Sequence, residues 1–374
     1  MQYKEFKDGI RLSRLGMGAM RLPVKGNDSE IDFEKAKKII DAAMESGINY
    51  YDTAYIYHGG TSEVFLGEAF KGYPRDSFYV ADKFNFQADP DYERQFEEQL
   101  RRLQMERIDF YLLHGIQDSF ADDILNSGCV EYFDRLKGQG KIRYLGFSFH
   151  GSPEALKKAV RYYPWDFVQM QLNYYDWYCG NAEEIYQILE EAKIPVMVME
   201  PVHGGLLANL TAESAEVLKK LDPARSLASW AMRWVMSREQ VQVVLSGMSD
   251  MGQLLDNVET FSEGKSLTGE EETAVWEAAM IQYRKIAVPC TSCRYCTPHC
   301  PMELDIPFLL RAYNEAKVGG EWRLTSLSAL PEAKMPGNCI GCGACTEHCP
   351  QSFDIPGYLK ELREMLDKIR AAAE

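Results

Sequence analysis

Asn49-Tyr50-Tyr51-Asp52-Thr53-Ala54-Tyr55-Ile56-Tyr57-His58-Gly59-Gly60 is the stretch around which the first three quarters of this chain is organised. A short apolar run ending in Tyr51 predicts a buried strand, and Asp52 stands where that strand should stop. Thr61 is a good N-cap and Glu63 suits a first helical turn, so a helix is expected to begin near Thr61-Ser62-Glu63. A carboxylate and a phenol, Asp52 and Tyr57, thereby share one strand-to-helix loop.

Outward from that loop, strand and helix patterns alternate. Residues 3–14 carry Asp8-Gly9 between short apolar–polar runs, a hairpin signal. Leu15 to Met20 reads as a first strand ending in small residues, which would let a ligand approach the backbone. Further strands are expected over Ser77 to Lys83, Arg107 to His114, Ile142 to Ser148, Phe167 to Leu172, Pro195 to Met199 and Val241 to Ser246. Helices are expected over Asp32 to Ser46, Asp91 to Leu103, Val130 to Lys137, Pro153 to Tyr162, Ala182 to Ala192, Pro223 to Met236 and Met251 to Glu259. The first of these has Phe33, Ala36, Ile39, Ile40 and Ala43 on one face and Gly47 as a stop. With the strand before Asp52 there are eight strands. An alternating series of about 230 residues fits a (β/α)₈ barrel better than an open doubly wound sheet. No Gly-x-Gly-x-x-Gly follows the first strand, which disfavours an open dinucleotide-binding sheet. The hairpin would plug the barrel's floor. The loop holding Asp52 and Tyr57 would lie on the C-terminal face, where such barrels do their chemistry.

Asp-Thr-Ala with a Tyr five residues after the Asp resembles the catalytic segment of the aldo-keto reductases. That resemblance implies a lysine at the end of the next strand and a histidine at the end of the one after, and Lys83 and His114 occupy those places. A lone Lys or His at a strand end is usually structural; the ordered set is specific. The resemblance implies an NAD(P)-dependent oxidoreductase that moves a hydride between the cofactor and an aldehyde, ketone or alcohol. Tyr57 would be the acid, with Lys83 lowering its pKa from about 10. Asp52 would hold Lys83 charged, and His114 would orient the substrate oxygen.

The same resemblance suggests that Ser148 and Gln169 bind the nicotinamide carboxamide, with Asn173 close by, since a carboxamide needs a fixed donor and a fixed acceptor. Two departures stand out. Phe149 follows Ser148 where the family often has Asn, leaving His150 or the backbone to compensate, and Met199 stands where many members stack an aromatic ring. Ser246 to Asn257 resembles the phosphate and adenosine segment, with Gly247, Met248, Ser249, Gln253 and Asn257 as cofactor contacts and a helix N-terminus near Met251. An ordinary strand–loop–helix connection is the alternative. The segment has no Lys or Arg for a 2′-phosphate, and Asp250 would repel one, so NADP and NAD both remain open, and a strong preference for NADPH would need a cation from elsewhere, Arg21 or Arg233. Phe84, Phe86, Tyr175 and Trp177 are candidates for substrate contact or for core.

The chain has 374 residues and ten cysteines, eight of them between Cys290 and Cys349. Cys290, Cys293, Cys296 and Cys300-Pro301 follow the C-x₂-C-x₂-C-x₃-C-P pattern, and Cys339, Cys342, Cys345 and Cys349-Pro350 repeat it. This is similar to bacterial two-cluster ferredoxins. It implies one 4Fe–4S cluster on Cys290, Cys293, Cys296 and Cys349, and another on Cys339, Cys342, Cys345 and Cys300. Zinc also binds paired C-x₂-C motifs, but the three-plus-one spacing with a terminal Pro favours clusters. His299 and His348 read as neighbours of the clusters rather than ligands, and Cys129 and Cys179 as ordinary thiols. The expected domains are a barrel over 1–265, a linking helix over 266–287 and an iron–sulfur domain over 288–374, with a helical piece near Phe308 to Ala316.

A net charge of −15 with no basic stripe argues against nucleic acid, and no apolar run reaches the roughly 18 residues of a membrane span. The N-terminus lacks the apolar core of a signal peptide, so a cytoplasmic protein is expected. Clustered cysteines in a reducing compartment hold metal rather than disulfides. Two other functions compete with carbonyl reduction. One is an electron-transfer protein working with a flavoprotein or ferredoxin partner, because a hydride carries two electrons and a cluster accepts one. The other is a barrel whose clusters merely staple a C-terminal cap.

Overall fold

The computed structural model describes every residue except 27–28, 119, 285–286, 289, 291–295, 320, 322–323, 325–326, 328–329, 350–351 and 374. Among the described residues the strands are β1 (Tyr3–Glu5), β2 (Arg11–Ser13), β3 (Leu15–Gly18), β4 (Tyr50–Asp52), β5 (Tyr79–Phe84), β6 (Ile108–Ile116), β7 (Ile142–Phe149), β8 (Phe167–Gln171), β9 (Val196–Met199) and β10 (Val241–Ser246). The α-helices are α1 (Phe33–Glu45), α2 (Thr61–Ala69), α3 (Tyr92–Leu103), α4 (Ala121–Leu125), α5 (Cys129–Gly138), α6 (Pro153–Tyr162), α7 (Tyr174–Cys179), α8 (Ala182–Glu191), α9 (Ala212–Leu221), α10 (Leu227–Met236), α11 (Met251–Glu263), α12 (Gly269–Arg284), α13 (Ile306–Gly319), α14 (Ala344–Glu347) and α15 (Ile355–Ala373). Two compact units divide the chain: Met1–Ala208 with Ala215–Ala279, and Asn209–Ser214 with Met280–Glu374.

In the first unit β3 to β10 close into a parallel barrel in the order β10-β3-β4-β5-β6-β7-β8-β9. Its strands are buried on both faces, which is why they read as apolar runs rather than alternating ones. β1 and β2 form the expected antiparallel hairpin, with Asp8 and Gly9 both at positive φ. Phe6, Ile10 and Leu12 pack against Tyr50, Phe110, Tyr144, Phe167 and Met197 and close the floor. α1 starts where Asp32 accepts the Lys35 N–H, and it buries Ala36, Ile39, Ile40 and Ala43 against the sheet.

Two helix starts differ from expectation. Thr61 is the first residue of α2 and not its cap; its hydroxyl donates to the carbonyls of His58 and Ser29, and Gly60, at φ 89, precedes the helix. α10 begins at Leu227, because Ser226 accepts the Ser229 N–H and so fixes the first turn past Pro223. α4, α7, α9, α14 and α15 are additional to the expected elements. Gly67 lets α2 meet the end of α3: a Cβ there would stand 2.6 Å from the Arg102 carbonyl oxygen.

The second unit packs Val288, Leu304, Ile306, Leu309, Leu310 and Tyr313 with Leu359 and Leu362 of α15. The helix expected near Phe308 is α13, longer at both ends. No helix among the described residues is long and apolar enough to cross a membrane.

Candidate active site

Parallel pairing sets the candidate residues side by side. β4 and β5 pair Asp52 with Ala81, so Lys83, two residues further along β5, reaches back over the end of β4. The Lys83 Nζ donates to Asp52 Oδ1 and to the Thr53 carbonyl, both at 2.6 Å, and to the Tyr57 hydroxyl at 3.4 Å. Lys83 is only 1% exposed. Tyr57 opens the turn after β4, and His58, Gly59 and Gly60 all take positive φ to bring the chain round into α2. The Tyr57 ring meets the His114 ring edge-on, with centroids 5.9 Å apart. Asp52, Tyr57, Lys83 and His114 thus converge at the carboxyl ends of β4, β5 and β6.

Burial dominates the electrostatics here. It pulls the Lys83 ammonium down, but Asp52 and Tyr57 together more than offset it, so Lys83 stays charged. For Tyr57 the balance differs from the sequence expectation. Burial raises the phenol more than Lys83 lowers it, and the net shift is upward. Burial, with the Lys83 ammonium and His150 nearby, takes the His114 imidazole down to about 3, which leaves it neutral at any physiological pH.

The candidate cofactor residues lie on the later strands. The Ser148 Oγ accepts the Gly115 N–H at 2.7 Å and keeps its own hydrogen to donate. The Gln169 Oε1 is buried with no hydrogen-bond partner among the described residues. A donor and an unpaired acceptor at adjacent strand ends fit a carboxamide. Asn173 is committed elsewhere: it caps α7 through the Asp176 N–H and donates to Asp176 Oδ2 and the Glu200 carbonyl. In the loop after β10, Met248 is fully buried and Asn257 donates to Ser246 Oγ. Gln253 accepts the Ser249 N–H, while Asp250 caps α11.

Arg21 is the cation that the loop's own sequence lacks. The Ser249 hydroxyl donates to its carbonyl at 2.7 Å, and its side-chain stem lies against Gly247, where a Cβ would meet it at 2.7 Å. Arg233 is held instead by Glu271, both guanidinium nitrogens bonding the carboxylate. Of the possible substrate aromatics, Phe84 is core against Phe133, and Trp177 packs between Tyr186 and Trp234. Phe86 meets Phe84 edge-on, and Tyr175 meets His203.

In the second unit one cavity is lined by Cys300, Cys339, Cys342 and Cys345 together with Ile340, Leu304 and Leu359. The first motif thus contributes its last cysteine to the three leading cysteines of the second. The rings of His299 and His348 stack 3.4 Å apart, holding the two motif tails together. The Leu304 N–H donates to the Cys300 sulfur at 3.4 Å. Four thiols round one cavity suit the corners of a cluster. Cys290, Cys296 and Cys349 pack against the same core, and Cys293 lies outside the described residues.

A closed parallel barrel with ionisable side chains gathered at its strand ends defines the class, a (β/α)₈ barrel of the enzyme type. Residues 14–278 match the family model of the aldo/keto reductases, and the chain belongs to that family. Residues 289–353 match a 4Fe-4S dicluster domain. An uncharacterised oxidoreductase of Bacillus subtilis, YqkF, is 28% identical over 301 residues, 71% of this chain and 92% of its own length. L-galactose dehydrogenase of Arabidopsis thaliana is 27% identical over 291 residues, 71% of this chain and 89% of its own. The solved aldo-keto reductase AKR11C1 of Bacillus halodurans, in its holo form, is 29% identical with a TM-score of 0.63, covering 74% of this chain and 96% of its own. The protein is therefore an oxidoreductase of the aldo/keto reductase family that carries a 4Fe-4S domain.

A second buried cluster lies behind β5, where the strand's alternation points Asp82 away from Lys83. Asp82 hydrogen-bonds Glu63 of α2; both are fully buried, and neither Asp82 Oδ2 nor Glu63 Oε1 meets a donor among the described residues. Two carboxyls facing in this way need one proton between them. Arg102 holds the Glu63 side at 2.8 Å and also donates to the Tyr55 carbonyl at 3.2 Å, tying the pair to the turn that carries Tyr57. Sequence patterns could not have paired residues from a strand, two helices and a loop. Burial, then Glu63, raise Asp82 well above the usual carboxylate range. A raised folded-state pKa stabilises the fold fully below the unfolded value near 4 and loses that contribution as pH rises through the folded value. Asp82→Asn should therefore flatten the decline of stability from pH 5 to pH 9, leaving the variant more stable at the alkaline end by roughly 1–3 kcal/mol. Parallel pH profiles in urea titrations of the two proteins would contradict the shared proton.

Proposed function

We propose that the barrel reduces an aldehyde or ketone to the alcohol, or runs the reverse oxidation, with Tyr57 as the general acid. The observation that carries this reading is one buried ammonium, Lys83, bonded at once to Asp52 and to the Tyr57 hydroxyl. NADPH or NADH, when bound, supplies the hydride for the carbonyl carbon. The negative charge that develops on the oxygen draws the proton from Tyr57, and Lys83 stabilises the phenolate left behind. Asp52 keeps Lys83 charged and aimed. His114, being neutral, offers an N–H to the same oxygen and orients it without giving up a proton.

Ser148 and Gln169 would hold the carboxamide of the cofactor. Gly247, Ser249 and Gln253, with Arg21 beside them, would hold its phosphates, and Met248 and Asn257 would shape that loop. In the second unit we assign Cys339, Cys342, Cys345 and Cys300 to one 4Fe–4S cluster, and Cys290, Cys293, Cys296 and Cys349 to another. Cys342 and Ile340 are exposed, which favours electron exchange with a redox partner over a purely structural cluster.

Tyr57→Phe should lower carbonyl reduction by about 10²–10⁴-fold while nicotinamide binding stays within a few-fold, since only the proton donor is lost. Activity retained within ten-fold would remove Tyr57 from the chemistry. Protein purified without oxygen should carry about eight irons and eight sulfides per chain, and Cys342→Ala about half of that. Stoichiometric zinc, or an iron content unchanged by Cys342→Ala, would overturn the cluster assignment.

A further inference from the structure

Asn85 stands one residue past the end of β5 and two past Lys83, so the strand's alternation turns both side chains toward the same site. Its Nδ2 lies 3.3 Å from His114 Nδ1. The orientation of this amide is fixed by a separate contact, because Asn85 Oδ1 accepts the Ala88 N–H at 2.9 Å. The amide end facing the imidazole is therefore NH₂, which can only donate.

The backbone of Asn85 is clamped as well. Its N–H donates to Gln95 Oε1 at 2.6 Å, and its carbonyl accepts from Gln95 Nε2 at 3.2 Å. Gln95 is wholly buried on α3 and also donates to the Asp89 carbonyl, which pins the turn between β5 and α3.

A donor aimed at Nδ1 makes that nitrogen a lone-pair acceptor. A neutral imidazole has a single ring hydrogen, so it must sit on Nε2. An imidazolium would set an N–H against the Asn85 NH₂, and burial and the Lys83 ammonium from β5 oppose it too, with a smaller effect from His150 just past β7. The Tyr57 phenol from the turn after β4 meets the ring only edge-on.

We propose that Asn85 is a positioning residue that sets the tautomer of His114, so that Nε2–H is the one group His114 can offer to a substrate carbonyl oxygen. This rests on the reductase reading for its consequence but not for its test. It also divides the labour at the site: Tyr57 alone has a proton to give, and His114 has only a hydrogen bond. Burial and Lys83 keep the ring neutral, and Asn85 fixes which of its nitrogens carries the hydrogen.

The full-length protein, purified without oxygen and labelled with ¹⁵N-histidine, tests this through long-range ¹H–¹⁵N correlations, with His114 assigned by the signals missing from His114→Gln. The expected result is a bare Nδ1 and a protonated Nε2, unchanged from pH 5 to pH 9. Asn85→Asp keeps the acceptor for Ala88 but puts a carboxylate where the NH₂ was. It should move the hydrogen to Nδ1 or make the ring titrate within that range, with kcat reduced on the order of 10²-fold and KM little changed. Asn85→Ala should give a mixture of tautomers and an intermediate kcat. An Nδ1–H signal in the wild type, or His114 signals in Asn85→Asp identical to the wild type, would overturn the proposal. The tautomer is read without turnover, so failure of the reductase reading would show separately, as activity surviving Tyr57→Phe.

Discussion

A lysine that is 1% exposed, inside a barrel, is the constraint on which the rest of the site depends. Taking an ammonium out of water costs several kcal/mol unless charge and hydrogen bonds replace the water. Asp52 and the Thr53 carbonyl do so at 2.6 Å each, and the third hydrogen points at Tyr57. Each partner is delivered by a fixed feature of the barrel: Asp52 by the end of β4, Thr53 by the chain just beyond it, Tyr57 by the turn into α2. The parallel register that pairs Asp52 with Ala81 makes these partners reachable from Lys83. Removing Asp52 would leave a buried charge uncompensated.

The supports behind the site are of the same kind. Arg102 links α3 to Glu63 of α2 and to the loop backbone at Tyr55, and Gly67 lets the two helices come close enough for that. Gln95, also on α3, clamps Asn85 and hence the ring of His114. One outer helix therefore positions the turns on both sides of Lys83. A helix face that looks merely polar and buried in sequence turns out to be the back wall of the site.

Much of this was legible in the sequence, because the relevant signals are local. Strand ends are marked by the residue that stops an apolar run: Asp52 ends β4, whereas β5 runs one residue past Lys83 and β6 two residues past His114. The hairpin was legible from Asp8-Gly9, since two consecutive positive-φ positions demand such residues. The cysteine spacing announced the second unit, and the structure brings Cys300 to Cys339, Cys342 and Cys345 around one cavity. What escaped was whatever depends on distance in sequence. Arg21 could be named alongside Arg233 as a distant cation but not chosen over it, since it meets Gly247 and Ser249 only because β3 neighbours β10 in the closed barrel. Asp82 carries no signal of its own in the sequence, since its partner, Glu63, belongs to another element. The upward shift of Tyr57 was missed for a further reason: composition reports which charges are near a group but not how deeply it is buried, and here burial is the larger effect.

The most direct measurement follows the hydride itself. NADPH and NADH carrying deuterium on the transferring face of C4 would be given to the anaerobic protein with a panel of aldehydes and ketones. The label would then be traced in the product while the iron spectrum is recorded. Deuterium on the carbinol carbon, with the iron signal unchanged during turnover, is the result expected if the Lys83-centred site transfers hydride in one step. Deuterium lost to water while the iron becomes reduced would contradict it, and would make the barrel an electron relay instead.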